Sequence, residues 1–361
     1  MRTSKIHSKR TLLILLVCLM GMAKAMAQSF TVGNLNYTVN HDETTVTLTG
    51  HVDGIWASGT LDIPETVTYK SNTYVVTAIA DNAFCQCGSL TGSLVIPNSV
   101  ITIGKCAFKN CHRFTGNLTI GNSVTAIGNE AFSWCDGFTG SLTLGNSVAS
   151  IGKSAFAYCR HLSGALVIPN SVTVIGSKAF QGNRSFTSLS IGNSVTTIGD
   201  GAFQSCCRLS GSLIIPDAVV TIGELAFANC EGFTGDLIIG HSVTTIGDWA
   251  FYDCRGFTGN LTIGNCVTTI GCGAFYYCKG FTGCLSIPSS VTEICEEAFG
   301  ECSGFTTIIT PTTVTTINSF DLGYSNNLTT KTQGHSSATN VRKDIVENVL
   351  AKSIKNVRLS D

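Results

Sequence analysis

Residues 106–135 read "CAFKNCHRFTGNLTIGNSVTAIGNEAFSWC", and the phrase between the outer cysteines returns all along the chain. Its anchor is the dipeptide Ala-Phe, found at Phe84, Phe108, Phe132, Phe156, Phe180, Phe203, Phe227, Phe251, Phe275 and Phe299, 24 residues apart eight times and 23 once. A period of that length, held so strictly, predicts a solenoid in which each coil stacks on the next. The short interval has a local origin: "SFTSLSIG" lacks the Gly of "RFTGNLTIG", a turn residue missing between Thr187 and Ser188.

The columns within a coil follow from side-chain alternation. "L-x-I" (Leu94 and Ile96, Leu118 and Ile120) is the pattern of a half-buried strand. All six prolines fall just after it, at Pro64, Pro97, Pro169, Pro216, Pro288 and Pro311. Proline donates no ladder bond, so this column marks a strand end and a corner. "S-V-x-x-I-G" then supplies two more inward residues and a glycine expected to take a left-handed turn. No coil can hide its apolar residues without neighbours, so one continuous core is expected, about 50 Å long at the roughly 4.8 Å spacing of paired strands.

The pattern I-P-x-S-V-x-x-I-G-x-x-A-F-x-x-C-x-x-L resembles the BspA-type class of leucine-rich repeats almost letter for letter over residues 61 to 318. The expected fold is a mainly β repeat solenoid, a right-handed leucine-rich-repeat-like stack of about ten 24-residue coils with caps at both ends. Residues 28–80 break the period and read as an N-terminal β cap with an atypical first coil. The solenoid proper covers 81–318. Residues 319–361 read as a polar linker and an amphipathic helix, with Val341, Ile345, Val349, Leu350 and Ile354 at helical spacing.

The N-terminus reads as a secretory signal over residues 1–27. Arg2, Lys5, Lys9 and Arg10 precede the apolar "TLLILLVCLMGM", and "AMA" sets a cut after Ala27. Val17 before Cys18 argues against a lipoprotein site. Residues 1–27 hold five Lys/Arg and no Asp/Glu, leaving 17 basic against 23 acidic residues, a net charge of −6. That balance offers no general attraction to nucleic acid, and no later segment has the apolar length to span a membrane once the signal is removed.

Three residues after the Ala-Phe phenylalanine stands Cys87, Cys111, Cys135, Cys159, Cys206, Cys230, Cys254, Cys278 or Cys302, with Asn183 the exception. Asn cannot replace a disulfide partner or a thiolate ligand, but it can replace a small buried hydrogen-bonding group. The column is therefore expected to be a structural ladder of free thiols, with Asn183 making more hydrogen bonds than a thiol would at a tighter bend. Cys85, Cys106, Cys207, Cys266 and Cys284 lie outside it. Cys272 and Cys295, in adjacent coils with one residue of offset, are the disulfide candidate. "C-x-C" at Cys85–Cys87 and Cys111-His112 beside Cys106 have the look of metal fragments, but one member of each belongs to the inward ladder, so no metal site is expected. His112, His161 and His241 fall in different coils and columns, and no G-x-S-x-G, H-E-x-x-H or phosphate loop occurs. The chain reads as a non-enzyme without cofactors.

Binding candidates lie in two outer rows. Trp134 with Tyr158, and Trp249 with Tyr252, Tyr276 and Tyr277, follow or flank Ala-Phe; they either grip a sugar ring or apolar side chain, or fill grooves beside the core. The turn after the ladder carries Arg113, Arg160, Arg184, Arg208, Arg255 and Lys279 with His112 and His161, a basic edge facing an acidic partner or simply a solvated turn. The outward strand positions (Ser93, Val95, Asn117, Thr119) predict a flat, weakly polar sheet. The resemblance implies a secreted or surface-attached adhesin for host matrix proteins, glycans or other cells. The rival reading is a structural or envelope-assembly spacer without a dedicated ligand.

Overall fold

The structure is a computed structural model that describes residues 28–312 and, beyond them, the backbone of Thr329–Thr332 and Thr339–Asn340. It is a mainly β solenoid of about ten stacked turns of about 24 residues. The signal segment 1–27 and the helix expected over 341–357 lie outside the described residues.

Two strand columns give each coil its shape. The V-x-x-I column forms one long parallel sheet: Ile103, Ile127, Ile151, Ile175, Ile198, Ile222, Ile246, Ile270 and Ile294 align coil to coil. At the N-terminus the sheet continues through Asn72–Ile79 to Thr45–His51 and the antiparallel strands Leu35–Val39 and Ser29–Val32. Those strands cover the first coil with Phe30, Tyr37, Val46 and Leu48, all buried. An apolar lid of this kind is what an open solenoid end requires.

The L-x-I column is interrupted instead of continuous. Its pieces pair Leu94–Leu118–Leu142, Leu166–Leu189, Leu213–Leu237–Leu261 and Leu285–Ile308. The 23-residue step thus occurs twice, between Leu166 and Leu189 and between Leu285 and Ile308. The second was hidden because it falls after the last Ala-Phe. The sheet also outlasts the expected end of the solenoid: Thr329–Thr332 pairs in parallel with Phe305–Thr310 inside the stretch read as linker. A Thr-rich strand keeps β propensity while lacking the apolar letters by which earlier coils were recognised.

The longest aromatic column of the core runs through every Ala-Phe coil, beside a shorter one that stacks Phe114 on Phe138 and Phe233, Phe257, Phe281 and Phe305 on one another. The ten Ala-Phe rings stack from Phe84 to Phe299, with successive centroids 5.1–5.4 Å apart and planes within 10°. That separation exceeds the ~4.8 Å strand spacing, so the rings are slipped, as their quadrupoles prefer.

The I-G glycines do not take the left-handed turn expected of them; none has a positive φ. Their role is close approach. A Cβ on Gly128 would lie 2.6 Å from the carbonyl carbon of Gly104, and one on Gly152 2.7 Å from the amide nitrogen of Asn129. The left-handed positions sit elsewhere, two residues before and two after each Ala-Phe phenylalanine, as at Glu130 (φ 59°) and Trp134 (φ 61°) or Leu225 (φ 55°) and Asn229 (φ 59°). Cys295 occupies the I-G column in its coil. Its side chain is tolerated there because it is bonded to Cys272, with the two Cα atoms 4.6 Å apart.

Candidate functional site

Each ladder thiol has one partner, and it is always the same kind. Cys111 Sγ donates to the Phe84 carbonyl at 3.0 Å, Cys135 to Phe108 at 2.9 Å and Cys159 to Phe132 at 3.0 Å. Cys206, Cys230, Cys254, Cys278 and Cys302 repeat the bond to the Ala-Phe carbonyl of the coil before. Cys87, at the start, uses the Gly54 carbonyl of the cap at 3.2 Å. The thiol adds a second donor to a carbonyl that already accepts the backbone N–H three residues on, as Cys111 N–H to Phe108 at 3.3 Å and Cys135 N–H to Phe132 at 3.2 Å, and so ties each turn to the coil after it. Burial pushes the thiols of Cys87, Cys159 and Cys206 up to about 12 and raises Cys135, Cys230 and Cys278 in the same direction. Near neutral pH these sulfurs stay protonated, which a donor must be and a nucleophile must not. In the folded chain an alkylating reagent should therefore modify the exposed Cys266 and Cys284 and spare the ladder, which reacts only after denaturation. Mass mapping that finds ladder thiols modified at the rate of Cys266 would remove this role.

Asn183 makes the ladder bond through its amide, Nδ2 to the Phe156 carbonyl at 2.9 Å. It does not make the additional bonds expected of it. Its Oδ1 is buried without a partner, because the backbone N–H of Gly182 is already given to Gln204 and that of Asn183 to Phe180. An orphaned buried acceptor costs about 1–3 kcal/mol. Asn183→Cys keeps the donor and deletes the orphan, so it should raise stability by about 1 kcal/mol. Asn183→Leu should lower it by a similar amount by stranding the Phe156 carbonyl. Thermal melts of the two variants check this: a Cys variant less stable than the parent sinks the account.

Of the suspected metal fragments, Cys87 and Cys111 point inward to carbonyls while His112 is exposed. Among the described residues no three His, Cys, Asp or Glu side chains gather in a way that could hold a metal ion.

The aromatic rows are partly spent on the solenoid itself. Trp134 stacks on Tyr158 with centroids 4.3 Å apart and planes at 21°. The far face of Tyr158 lies over Gly182, where an added Cβ would come 2.7 Å from the ring. Trp249 covers Gly273 and Tyr276 covers Gly300 in the same way, a Cβ meeting the rings at 2.3 and 2.4 Å. Glycines in the next coil thus make room for ring faces, leaving mainly edges outward; Trp134 is the most open at 38% exposure. Tyr252 stacks on Tyr276 at 6.1 Å, and Tyr277 meets Tyr276 edge-on at 4.5 Å.

The basic edge is neutralised at half its positions. Arg160 lies over the Trp134 ring at 4.8 Å and pairs with Asp136 at 3.7 Å; Lys279 lies over Tyr277 at 4.6 Å and pairs with Glu301 at 3.5 Å. Arg255 binds Asp253 through both arms of its fork. Arg113, Arg184 and Arg208 are exposed and have no ion pair among the described residues. These three remain available to an acidic ligand.

The outward strand column differs from the weakly polar sheet expected. Val95, Val167 and Ile214 stand more than half exposed there, with Ile238 beside Ile214 in the next coil. Scattered apolar side chains on a surface are ordinary, but neighbours in register make a strip.

The model of a family described as BspA type leucine rich repeat region matches in 6 copies, over residues 77–210, 164–282, 198–329 and 235–355. Among solved structures the chain is similar to a leucine rich cell surface protein from Faecalibacterium prausnitzii, at 23% identity over 87% of this chain and 97% of that one, TM-score 0.47. It is also similar to a leucine-rich repeat protein from Bacteroides ovatus (22% identity, 84% of this chain, 99% of that one, TM-score 0.42). A third is the pneumococcal vaccine antigen PcpA (16% identity, 85% of this chain, 88% of that one, TM-score 0.48). No curated protein matches the chain.

Proposed function

The chain belongs to the BspA-type leucine-rich repeat family, and from that premise we propose that it is an exported, non-catalytic adhesin, displayed at a bacterial cell surface, that binds a protein or glycan on a host or on another microbe. The observation that carries the reading is the division of labour in each coil. Thiols, phenylalanines and I-G glycines are consumed in holding coils in register, while the two positions before and the two after each Ala-Phe change in kind from coil to coil. A scaffold that fixes its interior and varies its rows is built to present a surface. The exposed Arg113, Arg184 and Arg208 and the edge of Trp134 are the contacts such a ligand would meet first.

Binding of the full chain to immobilised matrix proteins and glycans tests the reading. Saturable binding that weakens in the double variant Arg184→Glu with Arg208→Glu is the expected result. Uniform silence across the panel would favour a spacer without a ligand.

A further inference from the structure

The period break has opened a groove. Where the coil carrying Pro169 meets the 23-residue coil that follows it, a surface cavity of about 530 Å³ lies between residues 167–171 and 190–193. That is within the range of about 300–1,000 Å³ in which small ligands are held. The two-stranded piece of sheet beneath it, Gly164–Val167 with Phe186–Ser190, slips register between Gly164 and Ala165, as other pieces of the column do at Gly92 and Gly283.

The lining is uncharged and of two kinds. Val167, more than half exposed, and Pro169 give the lining an apolar strip. Asn146, Asn170 and Asn193, one from each of three successive coils, line it with Ser190. This asparagine column is tied into the stack at several steps: the backbone N–H of Asn122 binds Asn98 Oδ1 at 2.7 Å, that of Asn146 binds Asn122 at 3.2 Å and that of Asn193 binds Asn170 at 2.9 Å. The links from Asn146 to the coil above, and from Asn193 to the coil above it, are not made. Among the described residues the carboxamides of Asn146 and Asn193 therefore have no hydrogen-bond partner, and both open onto the groove.

We propose that this groove binds a neutral oligosaccharide, an inference that rests on reading the chain as a binding protein. A carboxamide offers a donor and an acceptor side by side, which suits vicinal sugar hydroxyls. The Val167–Pro169 strip meets the apolar C–H face of a sugar ring. With no charged side chain in the lining, a sulfated, phosphorylated or uronic ligand finds no counter-charge there.

The full chain, applied to one array carrying neutral oligosaccharides, uronic-acid glycans and matrix proteins, tests this. The expected result is saturable binding to a neutral oligosaccharide. Asn146→Ala with Asn193→Ala should weaken it by about tenfold or more, as for one or two lost hydrogen bonds. Ser190→Trp, which fills the groove from an exposed position, should abolish it, and neither variant should shift the melting temperature. Neutral-sugar binding indifferent to both variants overturns the inference, as does a preference for acidic glycans. Matrix proteins bound with neutral sugars silent overturns the groove and leaves the adhesin reading standing; silence everywhere overturns both.

Discussion

Phe180→Ala should destabilise the chain by about 3–5 kcal/mol, the range for a large aromatic removed from a packed core. The ring is fully buried, with Phe156 5.3 Å to one side and Phe203 5.4 Å to the other. Its loss leaves a void that neighbours cannot fill, since each is held by its own outer stacking partner, Phe132 or Phe227. In a solenoid each coil touches only the next, so damage at the centre also weakens the coupling between the two halves. Thermal unfolding should then broaden or split into two steps, and a single stability would no longer describe it. A single sharp transition less than about 1 kcal/mol below the parent would mean the aromatic column contributes little.

Gly128→Ala should be nearly as damaging, about 3 kcal/mol, although it adds one methyl group. The added carbon would sit 2.6 Å from the carbonyl carbon of Gly104 and 2.7 Å from both its oxygen and the Lys105 nitrogen. Those are backbone atoms, so no rotamer change relieves the clash, and the Gly128 N–H is bound to the Ile103 carbonyl at 2.8 Å. The coils must part. Gly164→Ala is the control: its φ is +79° but nothing lies within 4 Å of the added carbon, so only backbone strain of about 1–2 kcal/mol is expected. Chemical denaturation of the two variants decides between them. If Gly164→Ala proves the worse, contact between coils is not what the I-G column requires.

That pair of glycines also shows where reading letters stops short. Periodicity placed the strands, the prolines and the Ala-Phe column, because each is a residue type repeated for one physical reason. It could not separate two reasons for glycine, a left-handed φ and a close approach, since both select the same letter. The true left-handed positions were invisible for the opposite cause. Trp134, Leu225 and Glu130 share that conformation but no side-chain property. The ladder was legible through its single exception, Asn183, yet which atoms of that amide find partners depends on neighbouring N–H groups already engaged. Among the candidate binding residues, the ion pairs that occupy Arg160, Arg255 and Lys279 arise from side chains of Asp136, Asp253 and Glu301 whose directions no spacing encodes.

The disulfide between Cys272 and Cys295 has a mechanical consequence. A chain of coils bonded only to their neighbours, pulled from its two ends as an anchored protein under flow would be, should peel one coil at a time. Each 24-residue coil would release roughly 80 Å of extended backbone. The bridge closes a loop with a sequence separation of 23, so tension passes through the sulfur atoms and never reaches the residues between them. One step of the extension is thereby locked shut, between the coils that carry Phe275 and Phe299, and only a reductant would restore it.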